Sequence, residues 1–372
     1  MNQRLHPSTR RSAWLLGLIV ALTLVAAACS SDKKTSTSSG SSSSSSSSAA
    51  YDYTSLTGTL NGSGSSFQDP FDQKVITAFK AVASGVSVTY TKSGSGAGKT
   101  DLQNQVVQFA GTDSLIKDAD LPNYKGGTVL YFPTVGAPIT VSYNLSGVTK
   151  LQLSADTLAG IFGGTITTWN DPKIAAENSG VTLPSKPIVV VHRSDASGTT
   201  SNFTKFLKKA SPTVWTLDSG DTVNWPASTQ GAEKNSGVAS VITSTDGAVG
   251  YVDLADAAAA KLSTALVKNS SGSYIEAKLP GAAAALKGAT VADNLTYDPV
   301  NASGADAYPI TSPTWIIVYA TQPSKAAADA IKGFLNFILT DGQKLANSVG
   351  YAPIPDDVAQ KALAQLSKIT GS

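Results

Sequence analysis

The sequence is short of the residues that build disulfide frameworks, metal centres and catalytic triads. Its one cysteine, Cys29, rules out an intramolecular disulfide. Its two histidines, His6 and His192, exclude most metal sites made of several imidazoles. His192 is the one base left for Ser-His chemistry once the N-terminal leader is removed. Neither GSGSS nor SGSGAG is a G-x-S-x-G nucleophile elbow, because glycine stands where the serine should be. Charge is also sparse. Of 28 Lys and Arg, three (Arg4, Arg10, Arg11) lie in the first 28 residues, where none of the 26 Asp and Glu lies. The remainder therefore carries 25 basic and 26 acidic groups, a formal charge of −1. No basic stretch beyond the leader points to nucleic acid.

What is present begins with that leader. A basic start precedes the apolar run AWLLGLIVALTLVAAA (Ala13 to Ala28), which has about the length of a signal-peptide core and is short for a membrane span. Cys29 follows Ala-Ala-Ala directly, as in a bacterial lipoprotein signal, although Ala26 stands where leucine is preferred. The expectation is a signal peptide at 1–28, a lipidated Cys29 and a linker at 29–51. The linker, SSDKKTSTSSGSSSSSSSSAA, has no apolar content from which to build a core. As a coil it reaches about 25–30 Å from a membrane. The remaining ~320 residues are enough for two domains.

The stretch Ser93 to Thr100, SGSGAGKT, is one residue away from a Walker A loop, with Ser93 in place of the first glycine. A β-rich run, VSVTYT (Val86 to Thr91), precedes it, and DLQNQVVQF (Asp101 to Phe109) is compatible with a helix after it. An exported protein meets little ATP, yet free N–H groups at a helix start attract anions of any kind. The same pattern occurs twice more. NGSGSSF (Asn61 to Phe67) follows a β-like run at Leu56 to Leu60 and leads through Pro70 into the periodic segment PFDQKVITAFKAV. RSDASGTT (Arg193 to Thr200) follows the buried-type strand PIVVVH and opens the amphipathic SNFTKFLKKA, with Phe203, Phe206 and Leu207 on one face. Each turn by itself reads more readily as ordinary helix capping. Three in one exported chain, the third carrying Arg193 for a bidentate contact to an oxyanion, point to an anion site. In FAGTDS (Phe109 to Ser114) an apolar segment runs straight into Asp113, a carboxylate where ligands of open α/β folds lie.

At these residues the chain resembles the substrate-binding lipoprotein of the high-affinity bacterial ABC phosphate importer. GSGSSF, SGSGAG, AGTDS and RSDASGT match the family's segments in order, as do IFGGTITTWND, GAVGYVD and YPITSPTWIIVY, across residues 58–355. The resemblance implies phosphate ligands at Ser66, the Phe67 backbone, Ser95, Asp113, Arg193, Ser197, Gly198 and Thr199, with Asp195 orienting Arg193. Gly96 departs from the serine, and Lys99 from the aliphatic residue, common in the family.

The resemblance further implies an α/β, two-lobed periplasmic-binding-protein fold of type II, with the ligand cleft between lobes. Each lobe should hold a mostly parallel sheet, lobe I being 52–134 plus 313–372 and lobe II 135–312. The expected protein is a monomer with no cofactor and no metal, held outside the cytoplasmic membrane by its lipid. It would bind inorganic phosphate and deliver it to membrane permease subunits. Three alternatives stay open: a secreted phosphoester-hydrolysing enzyme, a binding protein for another oxyanion or a phosphorylated metabolite, and a surface receptor that kept the fold.

Overall fold

Strand β1 (Gly58–Gly64) lies between β2 (Val86–Thr91) and β3 (Phe109–Thr112), parallel to both, in a computed structural model that describes residues 51–372. The signal peptide, Cys29 and the serine linker expected at 1–51 fall outside the described residues, apart from Tyr51. Helix α1 (Asp69–Val82) connects β1 to β2, with Pro70 in its first turn, where a missing N–H costs nothing. Helix α2 (Ser95–Gln103) connects β2 to β3.

The observed α2 differs from the sequence reading. It starts at Ser95 rather than Asp101, and Phe109 belongs to β3 instead of the helix. Gly94, with φ of 99°, turns the chain into the helix. The glycine-rich residues then form its first turn, because a side chain at Gly98 would collide with the backbone of Gly64. Close backbone packing overrides the poor helix propensity of glycine.

Strand β4 (Val129–Asn144) is long enough to serve both halves of the sheet. The later elements that build the main sheet and the site are β5 (Val189–Arg193), α3 (Gly198–Ala210), β6 (Gln230–Ala232), α4 (Lys234–Ser244), β7 (Ala248–Asp253), β8 (Thr311–Tyr319) and α5 (Lys325–Leu339). The main sheet runs β2-β1-β3-β8-β4-β7-β5-β6. From Val129 to Pro138, β4 pairs antiparallel with β8; from Ile139 to Asn144 it pairs antiparallel with β7. The parallel strands expected on each side are present, but two antiparallel strands join them into one curled sheet.

Aromatic packing holds the helices to one another and to the sheet. Phe79 of α1 meets Phe334 and Phe337 of α5 at 5.3 and 5.5 Å between ring centroids. On the other side Phe203 of α3 stacks on Tyr251 of β7 at 4.5 Å. Phe203, Phe206 and Leu207, the face read from sequence, are all fully buried. Each such ring contributes about 1.5–3 kcal/mol by leaving water. Among the described residues no helix is long and apolar enough to cross a membrane.

Candidate functional site

Six strand ends and the residues that follow them define one site. In an α/β sheet the carboxyl end of a parallel strand is where the chain turns into a helix, and free N–H groups gather there. β1 leads to Ser65-Ser66-Phe67, β2 to Gly94-Ser95 and β3 to Asp113. On the opposite side β5 leads to Arg193 and the Ser197–Thr199 turn, β6 to Lys234-Asn235 and β7 to Asp253.

Asp113 is the hub of the first side. It is buried, and its two oxygens accept from Ser65 Oγ at 2.6 Å and Ser95 Oγ at 3.3 Å. Burial pushes its carboxyl up to about 7, against the hydroxyl of Ser65, the Arg193 charge and Ser95, with the Asp221 charge adding to the rise. Ser65 also accepts the N–H groups of Phe67 (3.0 Å) and Gln68 (3.4 Å), so in this structure the Phe67 N–H points at a serine hydroxyl. The Phe67 ring is in the core beside Tyr351, whose hydroxyl donates to the Phe67 carbonyl.

Arg193 is the hub of the second side and is almost completely buried. Nε and Nη2 donate to the two oxygens of Asp195 at 2.7 and 2.5 Å, and Nη1 donates to Asn235 Oδ1 at 3.0 Å. Three of the five guanidinium N–H bonds are thus used, and two remain for an anion. Burial would raise the Asp195 carboxyl, but the hydrogen bonds and charge of Arg193 hold it below its usual range. The backbone N–H of Arg193 donates to the Tyr251 hydroxyl at 3.1 Å. Ser197 caps α3 by accepting from Thr200 N–H at 3.3 Å, which leaves the N–H groups of Gly198 and Thr199 in the first turn.

The two sides meet. Asn202 of α3 donates to the Asp113 carbonyl at 2.6 Å, and Gly96 N–H donates to the Ala196 carbonyl at 3.1 Å. Gly198 lies directly on Asp113: a Cβ there would sit 2.7 Å from Asp113 Cβ and from Ser95 Oγ. Asn235 N–H reaches across to Ser66 Oγ at 3.4 Å, while its Nδ2 donates to Thr199 Oγ1 at 3.2 Å. The structure therefore brings Ser66, Phe67, Ser95, Asp113, Arg193, Asp195, Ser197, Gly198 and Thr199 into one network.

Sequence reasoning missed Ser65, Asn235 and Tyr251. Ser65 was adjacent to the serine chosen. Tyr251 lay inside the quoted GAVGYVD, and Asn235 carried no local signal. His192 is half-buried and stacked on Trp225 at 4.9 Å, with Nδ1 against the Arg193 carbonyl at 2.8 Å. Burial lowers its pKa. Its ring is used in packing, and no serine, threonine or cysteine is within hydrogen-bond reach of it among the described residues. No cluster of three or more His, Cys, Asp or Glu able to hold a metal ion is found among the described residues.

Residues 37–342 match the model of a PBP superfamily domain. The chain is 34% identical over 308 residues to phosphate-binding protein PstS 3 of Mycobacterium leprae, covering 80% of this chain and 83% of that protein. It is 32% identical over 323 residues to phosphate-binding protein PstS of Pasteurella multocida, covering 85% and 92%. Among solved structures, a high-affinity periplasmic phosphate-binding protein bound with phosphate superimposes with a TM-score of 0.71 at 24% identity, over 83% of this chain and 94% of that one. A phosphate-binding protein from Stenotrophomonas maltophilia superimposes with a TM-score of 0.66 at 20% identity, over 82% and 93%. These structures share the fold, a two-lobed α/β architecture.

Proposed function

Because the chain belongs to the PBP superfamily and, within it, to the phosphate-binding protein PstS family, we propose that it binds inorganic phosphate outside the cytoplasmic membrane and hands it to an ABC permease. The observation that carries this reading is the pairing of one buried carboxylate, Asp113, with one buried cation, Arg193, among hydroxyls and helix N-termini. Phosphate at neutral pH keeps at least one proton, and an ionised carboxylate can accept it. Sulfate keeps none, so against Asp113 it would set two acceptors face to face in a desolvated cleft. A site whose polar groups are left unpaired discriminates against the ligand that lacks the proton.

Ser66, the Phe67 N–H, Ser95, Ser197, Gly198 and Thr199 are the proposed remaining ligands, with Asp195 and Asn235 aiming Arg193. Contact of the Phe67 N–H with the anion requires it to leave the Ser65 hydroxyl on binding. The proposed lobes are 52–134 with 313–372, and 135–312. The exchange of partners along β4 at Pro138–Ile139, just past the first boundary, supports that division. Ligands on both lobes favour hinge closure around the anion. Cys29 is the proposed lipid anchor and the serine-rich segment its tether. Binding and delivery need no reaction at the site, and the named relatives are binding proteins.

Calorimetry on protein stripped of ligand by unfolding and refolding tests the reading. Phosphate should give saturable heat at one site per chain, and sulfate none at the same concentrations. Refolded protein that gives no phosphate heat would overturn it. A second expectation concerns Gly198→Ala. The added methyl needs space held by Asp113 and Ser95, and overpacking of this kind costs about 1–3 kcal/mol. Phosphate affinity should fall by roughly ten- to a hundredfold with the melting temperature little changed, since the clash is between lobes and opening relieves it. An unchanged affinity would show that the lobes do not need to meet at Gly198.

A further inference from the structure

The lysine of SGSGAGKT is not accounted for by the anion site. Lys99 Nζ lies 2.6 Å from Asp221 Oδ2, 2.9 Å from Ser114 Oγ and 3.2 Å from the Leu115 carbonyl. An ammonium has three N–H bonds, so all of its donors are taken and none is left for a bound phosphate. Two of these contacts are to the segment that directly follows Asp113. The third crosses to the opposite side of the cleft. There the Asp221 carbonyl accepts the N–H of Ser197, the cap of α3, at 2.9 Å. Both side chains are largely shielded, at 13% and 17% exposed. Water screens such a pair less than an exposed one. The lysine is itself held in place, since its carbonyl accepts the Tyr124 hydroxyl at 3.1 Å.

We propose that Lys99 and Asp221 form an ion-pair clasp across the cleft, which holds the lobes together and sets how long phosphate is retained. The proposal rests on the phosphate reading for its ligand, though not for the clasp itself. Closure places Asp221 opposite Lys99, and opening separates them in a partly desolvated setting. The pair therefore favours the closed form whether or not an anion is bound, and on a loaded protein it slows release. It also cancels the Asp221 charge near an anion site that already holds Asp113.

The test uses Lys99→Leu, Asp221→Asn, the double variant and Lys99→Arg, each with two readouts. The first is phosphate release in stopped flow. The second is the distance between spin labels at Lys80→Cys and Lys173→Cys, exposed positions on the two proposed lobes, in ligand-free protein carrying Cys29→Ser. Either single variant should speed release by about tenfold and move the label distance outward, with association changed much less. The double variant should release no faster than the faster single one, and Lys99→Arg should retain slow release. Slower release from Asp221→Asn would overturn the clasp, because it would mean that Asp221 acts only by repelling the anion. Unchanged release and distance in both single variants would overturn it too. If the parent protein binds no phosphate, the functional reading fails on that result, and the label distances alone decide whether the clasp exists.

Discussion

Asp113→Asn is expected to bring sulfate binding to within about tenfold of phosphate binding at every pH, and so to remove the discrimination that the ionised carboxylate gives the parent above pH 7. The amide keeps the size of the carboxylate and loses its charge. It can also turn its NH₂ toward the ligand, so a fully ionised oxyanion no longer meets an obligate acceptor. Phosphate should still bind, because Arg193 and the helix N-termini are untouched. The same physics gives a pH dependence in the parent. Burial raises Asp113 to about 7, so below that pH the carboxyl takes a proton and becomes a donor. Sulfate affinity should therefore rise as pH falls through about 7, whereas in Asp113→Asn it should change little over the same range.

Asp113 has a stability counterpart with its own sign. A carboxyl raised in the folded state binds its proton more tightly there than in the unfolded chain. Its contribution is fully present below the unfolded value near 3.8 and is lost as pH rises through about 7. Removing the charge should make ligand-free Asp113→Asn more stable than the parent at pH 8, by at most about 4 kcal/mol, and no more stable at pH 4. Such a gain, set against lost selectivity, is the trade expected where a site keeps an unfavourable charge for function. Calorimetric titrations with both anions and melting curves at the two pH values check these points. Unchanged discrimination would remove Asp113 from the selectivity mechanism.

Arg193→Met should abolish measurable phosphate binding, a loss of at least about 10³-fold, since cutting one member of a buried charge pair costs 2–5 kcal/mol or more. Part of that loss is the missing cation and part is Asp195, left without its partner. Adding Asp195→Asn separates the two. The double variant should recover the melting temperature lost in Arg193→Met and recover no phosphate binding. Arg193→Lys keeps a charge but cannot fork to Asp195 while also reaching Asn235 and the anion, so it should lie in between, down by about a hundredfold. Calorimetry and thermal melts on the three variants decide the matter. Phosphate binding by Arg193→Met within tenfold of the parent would show that the anion is held elsewhere.

The turns proposed to hold the anion could be read from the sequence because their signals are local. A strand that ends in Gly and Ser and opens a helix presents N–H donors whatever the rest of the chain does. Arg193 and Asp195, the pair that the resemblance implied, are two residues apart and form an ion pair. Strands β2 and β5 and helices α1 and α3 lie where their apolar patterns put them. The start of α2 was misread because the glycines that weaken a helix in isolation are the ones that let it pack on Gly64.

What only the tertiary structure decided are the contacts between residues far apart in the chain. Asn235 joins Arg193 and Thr199 to Ser66, and nothing in the residues around it marks it out. Ser65 rather than its neighbour holds Asp113, because the turn after β1 aims the two hydroxyls at different partners, Ser65 at Asp113 and Ser66 at Asn235. Lys99, noted from sequence only as a departure from the family's aliphatic residue, ends 122 positions away on Asp221. Hydrophobic periodicity and turn chemistry act over a few residues, so the sequence by itself determined where strands end in small-residue turns that open helices. Which groups face one another across the cleft depends on how β4 and β8 join the two halves of the sheet, a long-range pairing with no local signature.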